Sequence, residues 1–374
     1  MKAFQLIPAV AEYAQFADYA KEAKLGATDL ILTNEYIYEP AISKLNLGCQ
    51  TLFQEKYGAG EPTDVMVDAI LDELRGKSYD RIIAVGGGTI IDIAKVLAVA
   101  SAEDKVDDLY DRMPDGLTKV HPLVIVPTTC GTGSEVTNIS IINRTTKGVK
   151  QGIVSPAMFA NEAALIPGML ASLPYGVFAT SSIDAMIHAV ESYLSPNACA
   201  LSELFSERAL SLILRGWKAA VAEGTKDAWK KNASEFLRAS NFAGIAFGHA
   251  GCAAVHALSY PLGGVHHIPH GQANQLMFAD VMRKYQEKKP VGKLNQLEEI
   301  LSAELGCEPV FALEELYKLM DDVLKKTPLR ENGVTADELP VYAKSVLETQ
   351  QRLLGNNYVE LSEEDILDIY RNAF

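Results

Sequence analysis

The sequence lacks a long apolar run, a surplus of positive charge and any C-x-x-C motif. No stretch reaches the ~18 uninterrupted apolar residues of a membrane span, and Pro8 and Glu12 interrupt the opening apolar patch, which predicts no secretory signal. Its 34 Lys and Arg are outnumbered by 48 Asp and Glu, which argues against a nucleic-acid-binding surface. Five widely spaced cysteines indicate neither a disulfide framework nor a zinc ribbon. We expect a cytoplasmic protein with no nucleic-acid or membrane partner.

The 374 residues, of which 48% are hydrophobic, predict two domains with substantial cores. In the first half, short apolar runs alternate with helical patterns, which favours a parallel sheet with crossover helices. After Pro174 the chain continues in long amphipathic segments without a clear strand. The predicted strands are 30–32, 82–85 and 123–126, and the predicted helices include 65–74, 90–100, 177–194, 202–221 and 228–247. We therefore expect an α/β domain over residues 1–173 and an all-α domain over residues 174–374.

Two glycine-rich loops each follow a predicted buried strand. The first contains Gly86-Gly87-Gly88 and leads into a helix; the second reads Pro127-Thr-Thr-Cys-Gly-Thr-Gly-Ser-Glu-Val-Thr137. Glycines allow close approach of a ligand to the backbone, and a helix N-terminus favours phosphate. Each loop alone could be an ordinary turn, and the first lacks the full G-x-G-x-x-G spacing. Because both follow strands of one predicted sheet, they favour a shared dinucleotide site.

A second group of residues has the composition of a transition-metal site. Asp184 and His188 are four residues apart on a predicted helix, so they project from one face. Four of the seven histidines, His256, His266, His267 and His270, fall within fifteen residues. Imidazoles with one carboxylate suit Fe²⁺ or Zn²⁺ better than Mg²⁺ or Ca²⁺. The alternative is an ordinary surface pair and a set of core histidines bonded to the backbone.

The motifs GGGTIIDIAK, PTTCGTGSEVT, Asp184-x-x-x-His188 and His256 with His270-Gly271 together resemble the iron-containing (group III) alcohol dehydrogenase family. The resemblance implies a dehydroquinate synthase-like architecture, with a Rossmann-like domain that binds NAD, or alternatively NADP, and an all-helical domain that binds Fe²⁺, with Zn²⁺ as the alternative. It implies Asp184, His188, His256 and His270 as metal ligands. It also implies Gly87, Gly88 and Thr89 at the pyrophosphate, Thr128, Thr129 and Thr137 around the nicotinamide half, and Lys150 near its ribose. Asp92 is expected to brace its own turn.

Within this family the whole-chain pattern resembles the 4-hydroxybutyrate dehydrogenases, which interconvert 4-hydroxybutyrate and succinate semialdehyde. Tyr260 stands where many relatives have a histidine, so the proton relay of that histidine cannot be carried over. The released proton would leave through water, the ribose hydroxyls or His267; His267 is the candidate relay, with Tyr260 as a further catalytic candidate. Asn34 stands where NAD-preferring relatives often have an aspartate that binds the adenine ribose, which predicts a moderate preference for NAD. The substrate-binding candidates are Tyr260, His266 and His267.

Other functions remain open from the sequence. A broader alcohol or 1,3-diol dehydrogenase, a glycerol dehydrogenase and a dehydroquinate synthase-like cyclase share the predicted architecture. A nonenzymatic sensor of nucleotide or metal is the alternative from a different class. We expect a small-molecule alcohol or aldehyde as the partner of the chain, and a homodimer or a higher homo-oligomer.

Overall fold

The computed structural model describes residues 4–101 and 103–374. It divides the chain into two compact units: one comprises Gln5–Leu173, and the other comprises Pro174–Phe374 together with Phe4. Phe4 stacks on His249 with ring centroids 4.0 Å apart. Among the described residues no single helix is long and apolar enough to cross a membrane; one strongly bent pair, Ala228–Ala250 with Ala254–His266, meets the length and composition criteria.

The first unit is an α/β unit built on a six-stranded parallel sheet with strand order β1-β8-β5-β4-β2-β3. A separate antiparallel hairpin is formed by β6 and β7. The strands are β1 (Ala9–Glu12), β2 (Asp29–Thr33), β3 (Gln50–Phe53), β4 (Arg81–Gly86), β5 (Leu123–Pro127), β6 (Ile139–Arg144), β7 (Val149–Val154) and β8 (Glu162–Leu165). The helices are α1 (Phe16–Glu22), α2 (Glu35–Ala41), α3 (Asp64–Leu74), α4 (Gly88–Val99) and α5 (Val106–Arg112).

Both faces of the sheet are covered, which explains why its central strands are continuously hydrophobic. In β4, Ile82 and Ala84 point into one buried cluster, while Ile83 and Val85 point into another, as the two-residue repeat of a strand requires. The first cluster includes residues of α3, α4 and α5, and the second includes residues of α1 and α2. This double burial holds the carboxyl ends of β2, β4 and β5 side by side.

The second unit is helical, and no β-strand occurs in its described part, residues 174–374. Its helices are α6 (Tyr175–Leu194), α7 (Ala200–Glu223), α8 (Ala233–Ala250), α9 (Ala254–His266), α10 (His270–Lys288), α11 (Lys293–Leu305), α12 (Ala312–Val323), α13 (Glu338–Thr349), α14 (Gln351–Leu354) and α15 (Glu363–Ala373). The helix α6 is buried on nearly all sides over its second half, so polar side chains there lie in the interior.

The predicted fold class is confirmed: a parallel-sheet α/β unit precedes a helical unit. The three predicted strands lie within β2, β4 and β5. Sequence reasoning did not find the edge strands β1 and β3, the strand β8 or the β6–β7 hairpin. These elements are four to six residues long, and several alternate in burial or are partly exposed, so their hydrophobic signal is weak.

Candidate functional site

The helix α6 supplies Asp184 and His188, which are 3% and 5% exposed. Their spacing of four residues puts both on one face of the helix, and Asp184 Oδ1 lies 3.9 Å from His188 Nε2. The ring of Phe247 stacks on His188 with centroids 4.2 Å apart, which restricts the orientation of the imidazole. A carboxylate and an imidazole are therefore fixed together in an apolar interior.

Two further imidazoles reach Asp184 from α9 and α10. Asp184 Oδ1 lies 3.5 Å from His256 Nε2 and 3.7 Å from His270 Nε2. His270 is the first residue of α10, and the following Gly271 lies against α6: a β-carbon there would be 2.0 Å from the carbonyl oxygen of Thr180. Only glycine permits this approach, which explains how α10 can bring His270 close to Asp184. Asp184, His188, His256 and His270 together are called the cluster below.

The four predicted ligands fit a shared divalent metal ion. Donors about 2.1 Å from a tetrahedral ion would be roughly 3.4 Å apart, close to the 3.5–3.9 Å between Asp184 Oδ1 and the three Nε2 atoms. The amide nitrogen of Asn274, on α10, lies among these donor atoms: Nδ2 is 2.8 Å from Asp184 Oδ1, 3.2 Å from His256 Nε2 and 3.3 Å from His270 Nε2. Acceptor atoms thus converge on one point, as a cation site requires.

The charges of the cluster also favour a cation. Burial raises the pKa of the Asp184 carboxyl, but the three neighbouring imidazoles outweigh this effect and hold that pKa below its usual range. Burial lowers the pKa of His256, but the Glu191 and Asp184 carboxylates outweigh it and raise it to about 9. The cluster therefore attracts positive charge, which a proton or a metal ion can supply.

A second group, His188, Cys252 and His256, has donor atoms within 4.8 Å of one another. It shares two histidines with the first group. Burial raises the pKa of the Cys252 thiol well above its usual range, and a neutral thiol is a poor metal ligand because the thiolate is the form that binds. The group that contains Asp184 therefore fits a metal better.

Glu191 is a functional candidate that sequence reasoning missed. Its fully buried carboxylate accepts hydrogen bonds from the backbone N–H of Ala253 (2.9 Å) and Val255 (2.6 Å) at the start of α9. It also lies 2.6 Å from His256 Nδ1, and because a carboxylate only accepts, Nδ1 must donate. Glu191 thus fixes the tautomer of His256 that leaves Nε2 free for a metal. The spacing 184, 188, 191 along one helix could have revealed it.

The three predicted proton-relay or substrate-binding residues have different surroundings. Tyr260 lies one turn beyond His256 on α9, with its ring centroid 6.3 Å from that of His270. His267 ends α9 in the left-handed conformation, with φ 54°, and is exposed. His266 is bonded elsewhere: its Nε2 is 2.8 Å from Tyr342 Oη and 3.3 Å from Glu338 Oε1. Tyr260 is therefore the member of this set that lies beside the cluster.

In the α/β unit, the two glycine-rich loops are in contact. Gly86 and Pro127 are partners in the pairing of β4 with β5, and Thr128 N donates to Gly86 O at 3.1 Å. A β-carbon on Gly86 would be 2.4 Å from Ile90, so glycine is required there. A β-carbon on Gly87 would be 3.1 Å from Thr129. The N-terminus of α4 therefore lies directly beside the second loop, with backbone N–H groups suited to phosphate.

A buried lysine holds the second loop in place. Lys95 Nζ donates to Ser134 Oγ (2.7 Å), Thr137 Oγ1 (2.9 Å) and the carbonyl oxygen of Ile139 (2.8 Å). Burial lowers its pKa to about 8, although the Asp92 carboxylate opposes this effect. The hydroxyl of the predicted cofactor residue Thr137 is thus engaged within the loop.

The expectation for Asp92 was wrong. Asp92 does not brace its own turn: its carboxylate accepts from Ser134 Oγ at 3.2 Å and from Ile141 N at 3.1 Å. It therefore links α4 to the second loop and to β6. The error arose because both partners are more than forty residues away in the sequence and β6 was not predicted.

The remaining predicted cofactor residues lie around the same sheet edge or on the hairpin. Asn34 follows β2 and donates from Nδ2 to Gln54 Oε1 (3.1 Å) and Glu55 Oε2 (2.8 Å). Thr89, in the first turn of α4, donates to the carbonyl oxygen of Gly60 at 3.0 Å. Lys150 is on β7, with Nζ 2.7 Å from Glu61 Oε1. Glu55 thus places a carboxylate beside Asn34 that the sequence did not reveal.

An α/β unit with glycine-rich loops at the ends of parallel strands, joined to a helical unit that contains a carboxylate–histidine cluster, is typical of metal-dependent, nicotinamide-linked dehydrogenases. Two family models match the chain: "Iron-containing alcohol dehydrogenase" over residues 9–167 and "Fe-containing alcohol dehydrogenase family, C-terminal" over residues 178–374. The chain therefore belongs to the iron-containing alcohol dehydrogenase family, and the resemblance inferred from its motifs is confirmed.

Individual relatives agree with this assignment. The 4-hydroxybutyrate dehydrogenase of Clostridium kluyveri is 46% identical over 374 residues, covering 100% of both chains. The long-chain-alcohol dehydrogenase 1 of Geobacillus thermodenitrificans is 35% identical, covering 94% of this chain and 91% of the relative. Among solved structures, an iron-containing alcohol dehydrogenase of Thermotoga maritima is similar with a TM-score of 0.80 and 27% identity, over 100% of this chain and 99% of the other.

Proposed function

We propose that this chain is an iron- and NAD-dependent dehydrogenase that interconverts 4-hydroxybutyrate and succinate semialdehyde. The observation that carries the proposal is the 46% identity to a 4-hydroxybutyrate dehydrogenase along the entire length of both chains. The unit Gln5–Leu173 would bind the coenzyme, and the unit Pro174–Phe374 would bind the metal and the alcohol. Five cysteines that form no disulfide are consistent with the proposed cytoplasmic location, and homo-oligomer formation stays a prediction.

We assign Asp184, His188, His256 and His270 as the ligands of Fe²⁺, with Zn²⁺ as the alternative ion. Bound iron would supply a Lewis acid that lowers the pKa of the substrate hydroxyl. The side chain of His270 is 35% exposed, whereas those of Asp184, His188 and His256 are no more than 6% exposed, so a substrate would approach from the His270 side. The donor set of one carboxylate and three imidazoles is suited to Fe²⁺ or Zn²⁺.

Proton movement is assigned to Tyr260, which lies beside His270, and to the exposed His267. Burial raises the pKa of Tyr260 to about 12, so its hydroxyl keeps its proton at neutral pH and can donate a hydrogen bond to a substrate oxygen. The exposed His267 is the proposed relay that passes the released proton to water, because an imidazole can accept a proton on one ring nitrogen and donate one from the other.

For the coenzyme, Gly87, Gly88 and Thr89 are proposed to bind the pyrophosphate, and Thr128, Thr129 and Thr137 to surround the nicotinamide half, with Lys150 near its ribose. Asn34 and Glu55 would bind the adenine ribose. The Glu55 carboxylate, 2.8 Å from Asn34 Nδ2, provides the negative charge that Asn34 itself lacks, and such a charge repels a 2′-phosphate. NAD should therefore be preferred over NADP.

The test of the substrate assignment compares kcat/KM for 4-hydroxybutyrate and for 1-butanol, followed as NADH formation by the iron-loaded enzyme. A charge-assisted contact to the carboxylate is worth roughly 1.5 to 3 kcal/mol, so we expect a preference of about ten- to a hundredfold for 4-hydroxybutyrate. Equal values, or a preference for 1-butanol or 1,3-propanediol, would instead indicate a broader alcohol or diol dehydrogenase. Turnover of none of these alcohols with either coenzyme would contradict the proposal.

The coenzyme assignment has its own test. Glu55→Gln removes the charge and keeps the shape, so the ratio of kcat/KM for NADP to that for NAD should rise about tenfold, which corresponds to ~1.4 kcal/mol. Glu103→Gln is the control because Glu103 is exposed and pairs only loosely with Arg75, at 3.6 Å. An unchanged ratio in Glu55→Gln would remove Glu55 from the ribose site.

A further inference from the structure

If the substrate is 4-hydroxybutyrate, its carboxylate needs a cationic binding partner, which the candidates Tyr260, His266 and His267 do not supply as a permanent charge. This inference rests on the proposed function. The metal cluster itself is a poor partner, because the buried carboxylates of Asp184 and Glu191 together offset the two charges of a ferrous ion. A carboxylate near this cluster therefore requires a separate cation, preferably one that is not already paired.

The fold brings one arginine to the rim of the cluster. Asn356 Nδ2 donates to the carbonyl oxygen of Cys252 at 2.9 Å and to that of Arg352 at 3.2 Å, so one amide group ties the backbone of α14 to the residues just before α9. Cys252 is four residues before His256, and its Sγ belongs to the group of donor atoms within 4.8 Å that includes His188 and His256. Arg352 is thus anchored beside the cluster.

The side chain of Arg352 also acts on Tyr260. Burial raises the pKa of the Tyr260 hydroxyl to about 12, and the Arg352 guanidinium is the largest influence in the opposite direction. Tyr260 lies one turn after His256 on α9, with its ring 6.3 Å from that of His270. The Arg352 guanidinium therefore lies close enough to influence Tyr260, which is itself a neighbour of His270, the most exposed ligand.

The guanidinium of Arg352 has no hydrogen bond or ion pair with any described residue, and the residue is exposed. By contrast, most cations of the helical unit are paired, including Arg215 with Glu304 at 2.8 Å and Lys293 with Glu203 at 2.6 Å. We propose that Arg352 binds the carboxylate of the substrate, and thereby selects ω-hydroxy acids over simple alcohols. The planar guanidinium matches a carboxylate with two parallel hydrogen bonds.

The experiment measures kcat and KM of iron-loaded Arg352→Gln for 4-hydroxybutyrate and 1-butanol. Loss of a charge-assisted contact should raise KM for 4-hydroxybutyrate by about ten- to a hundredfold, with a much smaller effect on kcat. The preference for 4-hydroxybutyrate over 1-butanol should fall by the same factor. Competitive inhibition of 1-butanol oxidation by butyrate should also become weaker, with a Ki that rises by a similar factor. Arg352→Lys should retain part of the preference, because it keeps the charge but not the planar fork.

The control is Arg208→Gln, which removes another exposed arginine of the helical unit; its preference should match that of the wild type. A wild-type enzyme that does not prefer 4-hydroxybutyrate would refute the proposed function itself. A wild-type preference that Arg352→Gln retains would overturn only the role of Arg352. An equal loss for both alcohols would also overturn it, because a structural defect does not discriminate between substrates.

Discussion

Replacement of Glu191 by glutamine tests whether the Glu191 carboxylate holds His256 in the tautomer that can bind a metal. Glu191 accepts three hydrogen bonds, from Ala253 N, Val255 N and His256 Nδ1, at 2.6–2.9 Å. Glutamine has nearly the same shape, but one of its two terminal groups can only donate. Because Oε1 of Glu191 meets one donor and Oε2 meets two, every orientation of the amide places its NH₂ against at least one buried donor.

The two orientations have different consequences. If the amide oxygen faces Val255, the NH₂ faces His256 Nδ1, and the imidazole can relieve the conflict only by moving its proton to Nε2, the atom that would bind the metal. If the oxygen faces His256, Val255 N–H at the start of α9 loses its acceptor. A buried donor left without a partner costs about 1–3 kcal/mol. We therefore expect one or both of two effects. Metal affinity should fall about 10- to 100-fold, or the free energy of unfolding of the metal-free protein should fall by about 1–3 kcal/mol.

The assay titrates metal-free protein with Fe²⁺ under anaerobic conditions, or with Zn²⁺, against a chromophoric chelator, and records Tm with and without metal. Glu223→Gln is the control: Glu223 pairs with Lys231 on the surface of the helical unit, so its stability should change by no more than about 0.5 kcal/mol. A Glu191→Gln protein with both wild-type metal affinity and wild-type Tm would refute the argument that Glu191 organises the cluster. If only Tm fell, the amide oxygen would face His256 and the conflict would lie at Val255 N–H.

Three further predictions concern the supports of the two sites. Gly271→Ala places a β-carbon 2.0 Å from the Thr180 carbonyl oxygen, and this overpacking should cost ~1–3 kcal/mol and displace His270. Bound metal per chain, measured by elemental analysis, should therefore fall. The control Gly264→Ala, which has open space at its β-carbon position, should bind metal like the wild type. Lys95→Met removes three hydrogen bonds and leaves their buried acceptors without a donor, so urea unfolding should show a loss of about 1–3 kcal/mol and calorimetry a weaker Kd for NAD. Unchanged values would show that the second loop is ordered without Lys95. Burial raises the pKa of Asp64, but hydrogen bonds from Thr146 and Thr145 outweigh it and lower the pKa to about 2. Since this folded-state pKa is below the unfolded value of about 3.9, the stabilisation is present above pH 4 and is lost as the pH falls toward 2; Asp64→Asn should cost ~2 kcal/mol at pH 7, and the difference from the wild type should narrow below pH 4.

Much of the molecule was predictable because its signals are local in the chain. The alternation of apolar runs with helical patterns predicted the α/β and helical parts, and the central strands were found because double burial makes them continuously apolar. The motifs identified the family. Asp184 and His188 were noticed because a spacing of four residues is meaningful on any helix, and the four histidines at 256–270 because histidines are rarely so concentrated in an apolar stretch. The family resemblance then selected His256 and His270 from these four.

The tertiary structure alone decided which distant residues meet. Glu191 reaches His256 across 65 positions of the sequence, Asn274 reaches Asp184 across 90, and Asn356 reaches Cys252 across 104. No periodicity or propensity encodes such contacts, because they depend on how helices pack rather than on how each one forms. The sequence by itself therefore determined the fold class and the chemical types in the carboxylate–histidine cluster. Packing decided the tautomer of His256, the partner of Asn34 and the position of Arg352, since each depends on a side chain brought in from another element.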